Sequence, residues 1–186
     1  MVKLVALWTV LLMTLSTAAP SAARADIPNP LYPLIDTAAQ RLQTADPVAA
    51  FKWVNGESIE DRARSDKVLN AVAADARTQR LDPAFVRQVF ADQIRATEGV
   101  EHARFAQWKL DPATAPTSAP DLSASRSAID GFNRQMVAQL AADQDILHAP
   151  DCPAVLDDAR AAVAASRAFD DLMRQALTVA THSYCS

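Results

Sequence analysis

The chain has little of several things on which chemistry is commonly built. It holds three glycines in 186 residues, two cysteines and three histidines. A phosphate-cradling loop or a dinucleotide fingerprint needs several closely spaced glycines, so neither is present. His102, His148 and His182 are scattered, and none stands at zinc-ligand spacing from Cys152 or Cys185, so no metal site is expected. No Ser-His-Asp order suggests covalent hydrolysis. No stretch of Val, Ile, Thr and aromatic residues alternates with period two for long enough to form a strand. Positive charge is also short, with a formal net charge of −4, which argues against nucleic acid and anionic membranes as partners. A reaction carried by such a chain must rest on positioning and charge, without a cofactor.

Long apolar runs are missing too. The longest, Leu4 to Leu15, is too short to span a bilayer comfortably. Preceded by Lys3 and followed by Ala23-Arg24-Ala25, it reads as a secretory signal peptide over residues 1–25, with a mature chain that begins at Asp26 and is free of the membrane after cleavage. Cleavage removes Lys3 and Arg24 but no acid, which moves the net charge from −4 to −6. Residues 26–186 suit one domain, and no internal repeat points to a solenoid. Export, to the medium or a periplasm, places the two cysteines where a disulfide persists. Cys152 and Cys185 are therefore expected to pair, for about 3 to 4 kcal/mol in the loop-closure model.

Alanine is abundant, and the eleven prolines fall mostly between periodic segments, a composition that favours helices. The expected fold is all-α, a bundle of about six helices near 31–45, 47–55, 59–80, 83–110, 122–148 and 153–183. Asp46-Pro47, Asp82-Pro83 and Cys152-Pro153 mark starts, since proline costs no hydrogen bond at a first helical position and the aspartates can cap free amides. Ser58 with Asp61 resembles a capping box. The proline-rich segment DPATAPTSAPD, from Asp111 to Asp121, is a connector within one domain. The stripe beyond it, Leu122, Ile129, Met136 and Leu140, is expected to pack on the preceding long helix.

Polar residues interrupt the apolar stripes. On the fourth helix Val86, Phe90, Ile94, Val100 and Phe105 share a face with Thr97 and Glu101. Arg126 and Asn133 take core positions on the fifth helix, and Arg41 lies on the face of Leu34, Ala38 and Ala45. Lys52 stands one turn from Val48, and Arg64 shares a face with Val68 and Val72, with Asp61 one turn before it. Each has a plain structural alternative: snorkelling for a lone Arg, an Arg126-Glu101 pair, or a Thr97 hydroxyl bonded to its own helix. Their number argues otherwise, because one inward carboxyl does not absorb four cations. Converging Arg and Lys suit a small, multiply anionic ligand.

These residues resemble the all-helical chorismate mutases, most closely their secreted subclass. The likeness runs through AAQRLQTADPVAAFKW, IEDRAR, VFADQIRATEGVE, WKLDPATAP and PDLSASRSAID, and with the signal peptide and the two late cysteines it spans nearly the whole mature chain. The resemblance implies a chorismate mutase type II fold and the cofactor-free Claisen rearrangement of chorismate to prephenate. It assigns carboxylate binding to Arg41 and Arg126, and a carboxylate and the ring hydroxyl to Arg64. Lys52 and Glu101 would reach the breaking ether bond, Thr97 would assist binding, and Asp61 would orient the cations. It also implies a homodimer with one self-contained site per subunit. Secreted relatives carry a glutamine about one turn beyond the Arg64 position, where this chain has Val68; the polar contact is then either absent or supplied by Lys67. Two alternatives stay open: an isochorismate pyruvate lyase on the same fold, and a non-catalytic exported module that binds an anionic metabolite or a partner protein.

Overall fold

A computed structural model describes residues 29–185, so the expected signal peptide and its cleavage point lie outside the described residues. Eight α-helices appear among these residues: α1 (Tyr32–Gln43), α2 (Ala45–Asn55), α3 (Arg62–Thr78), α4 (Pro83–Leu110), α5 (Leu122–Ala142), α6 (Gln144–Leu147), α7 (Cys152–Ser166) and α8 (Asp171–Ala180). A single 3-10 turn, Pro112–Thr114, lies in the proline-rich connector. The all-α expectation holds.

The long α4 packs against α8, α3 and α2. Because several helices cover it, its buried band is wider than one stripe. Val86, Val89, Phe90, Ala96 and Val100 are in the core, and so are Asp92 and Gln93. Phe105 is only half-buried, with its ring edge-on to Trp53 at 5.2 Å. The α5 stripe does not pack on α4 as expected. Helix α5 lies against α1, α3 and α2, and the space left between its first turns and α4 is a cavity. The α1 face of Leu34, Ile35, Ala38 and Leu42 joins α5, α7 and α8 in one continuous apolar core.

Two expected helices are each broken. Asp143 ends α5, and α6 follows as a single turn. The segment expected as one helix over 153–183 stops after Ser166, where Ala168 takes a left-handed φ of 50°. The Phe169 amide there returns to the Ala164 carbonyl at 2.9 Å, a Schellman closure with alanine in the place glycine usually fills. Burial of Phe169 and capping of the Met173 amide by Asp170 at 2.8 Å redirect the chain into α8. No glycine or proline marks the stop.

The caps correct other expectations. Asp82 accepts from the Ala84 amide at 2.9 Å as anticipated. Ser58 caps nothing: Asp61 caps α3 by accepting from the Arg64 amide at 3.0 Å, which frees residues 56–61 to form a loop over the cavity. Asp46 lies inside the first turn of α2 and accepts from Arg104 at 2.7 Å instead of capping. Cys152 and Cys185 are joined, with their Cα atoms 5.8 Å apart, and the bond ties the start of α7 to the segment after α8.

Candidate active site

Helices α1 to α5 and the loop before α3 enclose a cavity of about 550 Å³. Arg41, Lys52, Asp61, Arg64, Thr97, Glu101 and Arg126 all line it. Each of these seven comes from an apolar or capping position singled out above, and the chain brings them together without a second copy. The apolar part of the wall is Val48, Ile59, Val68, Ile94, Leu122 and Ile129.

Arg41 forms the floor and is 4% exposed. Its Nε donates to Asn133 Oδ1 at 2.9 Å, and its Nη1 faces the Gln93 carbonyl at 3.3 Å, Gln93 Oε1 at 3.5 Å and Thr97 Oγ1 at 3.3 Å. Its guanidinium also lies 6.0 Å from the Phe90 ring centroid. Among the described residues Nη2 makes no hydrogen bond, and it is the nitrogen left for a ligand. Burial lowers the Arg41 pKa to about 10, so the group remains a cation at neutral pH. Thr97 does what its plain alternative describes, donating to its own helix at Gln93 O over 2.8 Å, while its oxygen accepts from Arg41.

Lys52 and Glu101 form the side wall. Lys52 Nζ donates to Glu101 Oε2 at 2.7 Å and to the Ile59 carbonyl at 2.5 Å. An ammonium has three hydrogens, so one remains for the cavity. Glu101 is 2% exposed. Burial raises its pKa, and the Lys52 hydrogen bond opposes this without cancelling it. Desolvation outweighs the pairing with Lys52. Glu98, one residue past Thr97, also lines the cavity, and burial together with Glu60 raises its pKa.

The mouth differs from expectation. Arg126 is not in the core: its side chain is 47% exposed at the rim, 3.8 Å from Asp61. The first turns of α5 border the cavity, so a stripe position there faces open space rather than a packed neighbour. Glu101 therefore pairs with Lys52, and the Arg126-Glu101 alternative is not realised. Arg64 Nη2 meets Asp130 Oδ1 at 2.6 Å. Sequence reasoning missed Asp130 and Gln93. Asp130 lies one turn from Arg126, and Gln93 lies on the same face as Phe90 and Thr97, so spacing alone carried a signal for both. Val68 is buried against the cavity, whereas Lys67 is exposed and does not line it; the polar contact expected at this position is absent rather than supplied by Lys67.

An all-helical bundle with a cation-lined cavity built from one chain defines the class, and comparison with known proteins identifies it. The family model for chorismate mutase type II matches residues 33–102. A secreted chorismate mutase of Mycolicibacterium smegmatis is 56% identical over 163 residues, covering 88% of this chain and 90% of that protein. One from Mycobacterium tuberculosis is 50% identical over 176 residues, covering 95% and 88% respectively. The crystal structure of a chorismate mutase from Burkholderia thailandensis superposes with a TM-score of 0.79 at 34% identity, over 84% of this chain and 99% of that one. The chain belongs to the secreted chorismate mutases of the type II family.

Proposed function

We infer that the mature chain is a secreted chorismate mutase that converts chorismate to prephenate. The observation that carries this is the convergence of Arg41, Lys52, Arg64 and Arg126 on one cavity of about 550 Å³, a charge pattern suited to a small dicarboxylate. Residues 1–25 serve as the signal peptide, consistent with the names of the relatives, and the enzyme works outside the cytoplasm.

The rearrangement is intramolecular: a carbon–oxygen ether bond breaks as a carbon–carbon bond forms, and no atom leaves. The Arg41 fork takes one carboxylate through Nη2, and Arg126 takes the other at the rim. Arg64 serves the carboxylate nearest it and the ring hydroxyl, with Asp61 orienting the cations and Thr97 steadying Arg41. Clamping both ends folds the flexible arm over the ring, which supplies the positional part of catalysis. The ether oxygen gains negative charge in the transition state, so the free Lys52 hydrogen and a protonated Glu101 stabilise that state more than the ground state. The raised Glu101 pKa favours the protonated donor form.

Chorismate consumption by the mature chain tests the reading, with Lys52→Ala and Arg126→Ala as controls and the product identified. Prephenate supports it; pyruvate released from isochorismate with chorismate left unchanged would replace it with the lyase. Retained chorismate affinity without turnover would leave the non-catalytic module. We further propose the homodimer that the resemblance to the secreted subclass implies, with one site per subunit, because the cavity is complete within a single chain. Analytical ultracentrifugation that shows a monomer would overturn the dimer and leave the site intact.

A further inference from the structure

The floor arginine is held from behind by a part of the chain that does not line the cavity. Gln93 links the two. Its Nε2 donates to the Ala180 carbonyl at 3.0 Å and to Tyr184 Oη at 3.3 Å, while its Oε1 faces Arg41 Nη1. A carbonyl only accepts and a guanidinium only donates, so the two ends of the amide leave one orientation. All three side chains are buried, with Tyr184 and Gln93 fully so.

The segment that carries Tyr184 is anchored on every side. Ser183 Oγ donates to Asp92 Oδ2 at 2.5 Å, so neighbouring residues of α4, Asp92 and Gln93, hold neighbouring residues of the C-terminal segment. Arg160 donates to Thr181 Oγ1 at 2.7 Å, and Cys185 is bonded to Cys152. Asp92, itself without exposure, also accepts from Gln88 at 3.2 Å and Arg95 at 3.1 Å. A flexible side chain placed at Arg41 without such support would sample several rotamers, and ordering them on binding would cost affinity.

We propose that Gln93 and Tyr184 are positioning residues for the Arg41 guanidinium, with the disulfide-anchored C-terminal segment as the fixed support behind the carboxylate subsite. This rests on the reading of Arg41 as a carboxylate ligand. Loss of the strut acts on binding: Gln93→Met removes both polar ends at similar volume, and Tyr184→Phe removes only the hydroxyl.

The test measures chorismate kinetics for both variants in the wild-type and Arg41→Lys backgrounds. By the usual worth of one hydrogen bond, Gln93→Met should raise KM by about 10-fold and Tyr184→Phe by about 3-fold, with kcat changed by less than about 2-fold. In the Arg41→Lys background, which lacks the fork, both effects should shrink to below about 2-fold. An equal KM effect in both backgrounds indicates a general structural role and overturns the proposal. Unchanged KM in both variants, with KM raised by Arg41→Lys, also overturns it and leaves Arg41 as a ligand. If Arg41→Lys itself leaves KM unchanged, the underlying reading of Arg41 fails. Tyr184→Phe keeps the ring and carries the test alone should Gln93→Met not fold.

Discussion

The floor and the mouth of the cavity present the same group, a guanidinium, in opposite circumstances. Arg41 has given up nearly all its water; two of its nitrogens are bonded to Asn133, Gln93 and Thr97, and burial lowers its pKa to about 10. Arg126 is half in solvent beside Asp61, and Arg64 holds Asp130 at the same rim. The desolvation cost at the floor is met during folding, so a carboxylate arriving there finds a donor already aimed. At the mouth the cations keep exposed acidic partners, and such pairs are weak and screened by salt. Preorganisation thus decreases from floor to rim, and affinity is expected to be concentrated at the floor.

Experiments that separate the two regions follow from this difference. Arg41→Ala should lower kcat/KM most, by about 1,000-fold, since it removes a desolvated charge that pairs with a carboxylate; a loss no larger than that of Arg126→Ala would erase the distinction. Lys52→Ala should reduce turnover on the order of 100-fold or more, by analogy with removal of an oxyanion donor, and change KM less. Steady-state kinetics that instead place the effect in KM would make Lys52 a binding group only. Arg126→Ala should cost about 10-fold, and the difference from wild type should narrow between low and high ionic strength. A salt-independent loss would show that the rim is as preorganised as the floor.

The smallest effect concerns pH. Burial raises the Glu101 pKa above the ordinary carboxylate range. Below that shifted pKa the carboxyl is protonated and donates to the ether oxygen; above it the ionised group faces developing negative charge. Turnover should therefore decline several-fold as pH rises through the shifted pKa. Glu101→Gln keeps an N–H donor at every pH and should flatten the decline. Identical kcat profiles for the two proteins would remove Glu101 from the role of proton-bearing donor.

Much of this is legible in the sequence alone. The seven residues expected at the site stood out as polar groups on or beside apolar stripes, Asp61 also as the partner of Ser58 in a capping box where the structure makes it the cap itself, and all seven line one cavity. Export together with two late cysteines predicted their bond. Other features were not legible, for identifiable reasons. The break at Ala168 carries no glycine or proline, because a buried Phe169 and an Asp170 cap enforce it. Asp46 carries the signature of a cap but meets Arg104 from a helix 58 residues away. Spacing places Asp130 and Gln93 on faces with site residues, but not their partners, which are distant in sequence: Arg64 lies 66 residues from Asp130 and Tyr184 lies 91 from Gln93.

By itself the sequence determined that the chain is helical, where most helices begin, which cations share faces with apolar residues and which cysteines pair, since these follow from local propensity, capping and period 3.6. Periodicity states the direction in which a side chain points and is silent on what fills the space there. Only the tertiary structure decided that Arg41 is buried at the cavity floor and Arg126 exposed at its rim, that Glu101 meets Lys52, and that the C-terminal segment stands behind Arg41. The depth of burial and the identity of a partner are set by which helices pack together, and that packing depends on the whole chain at once.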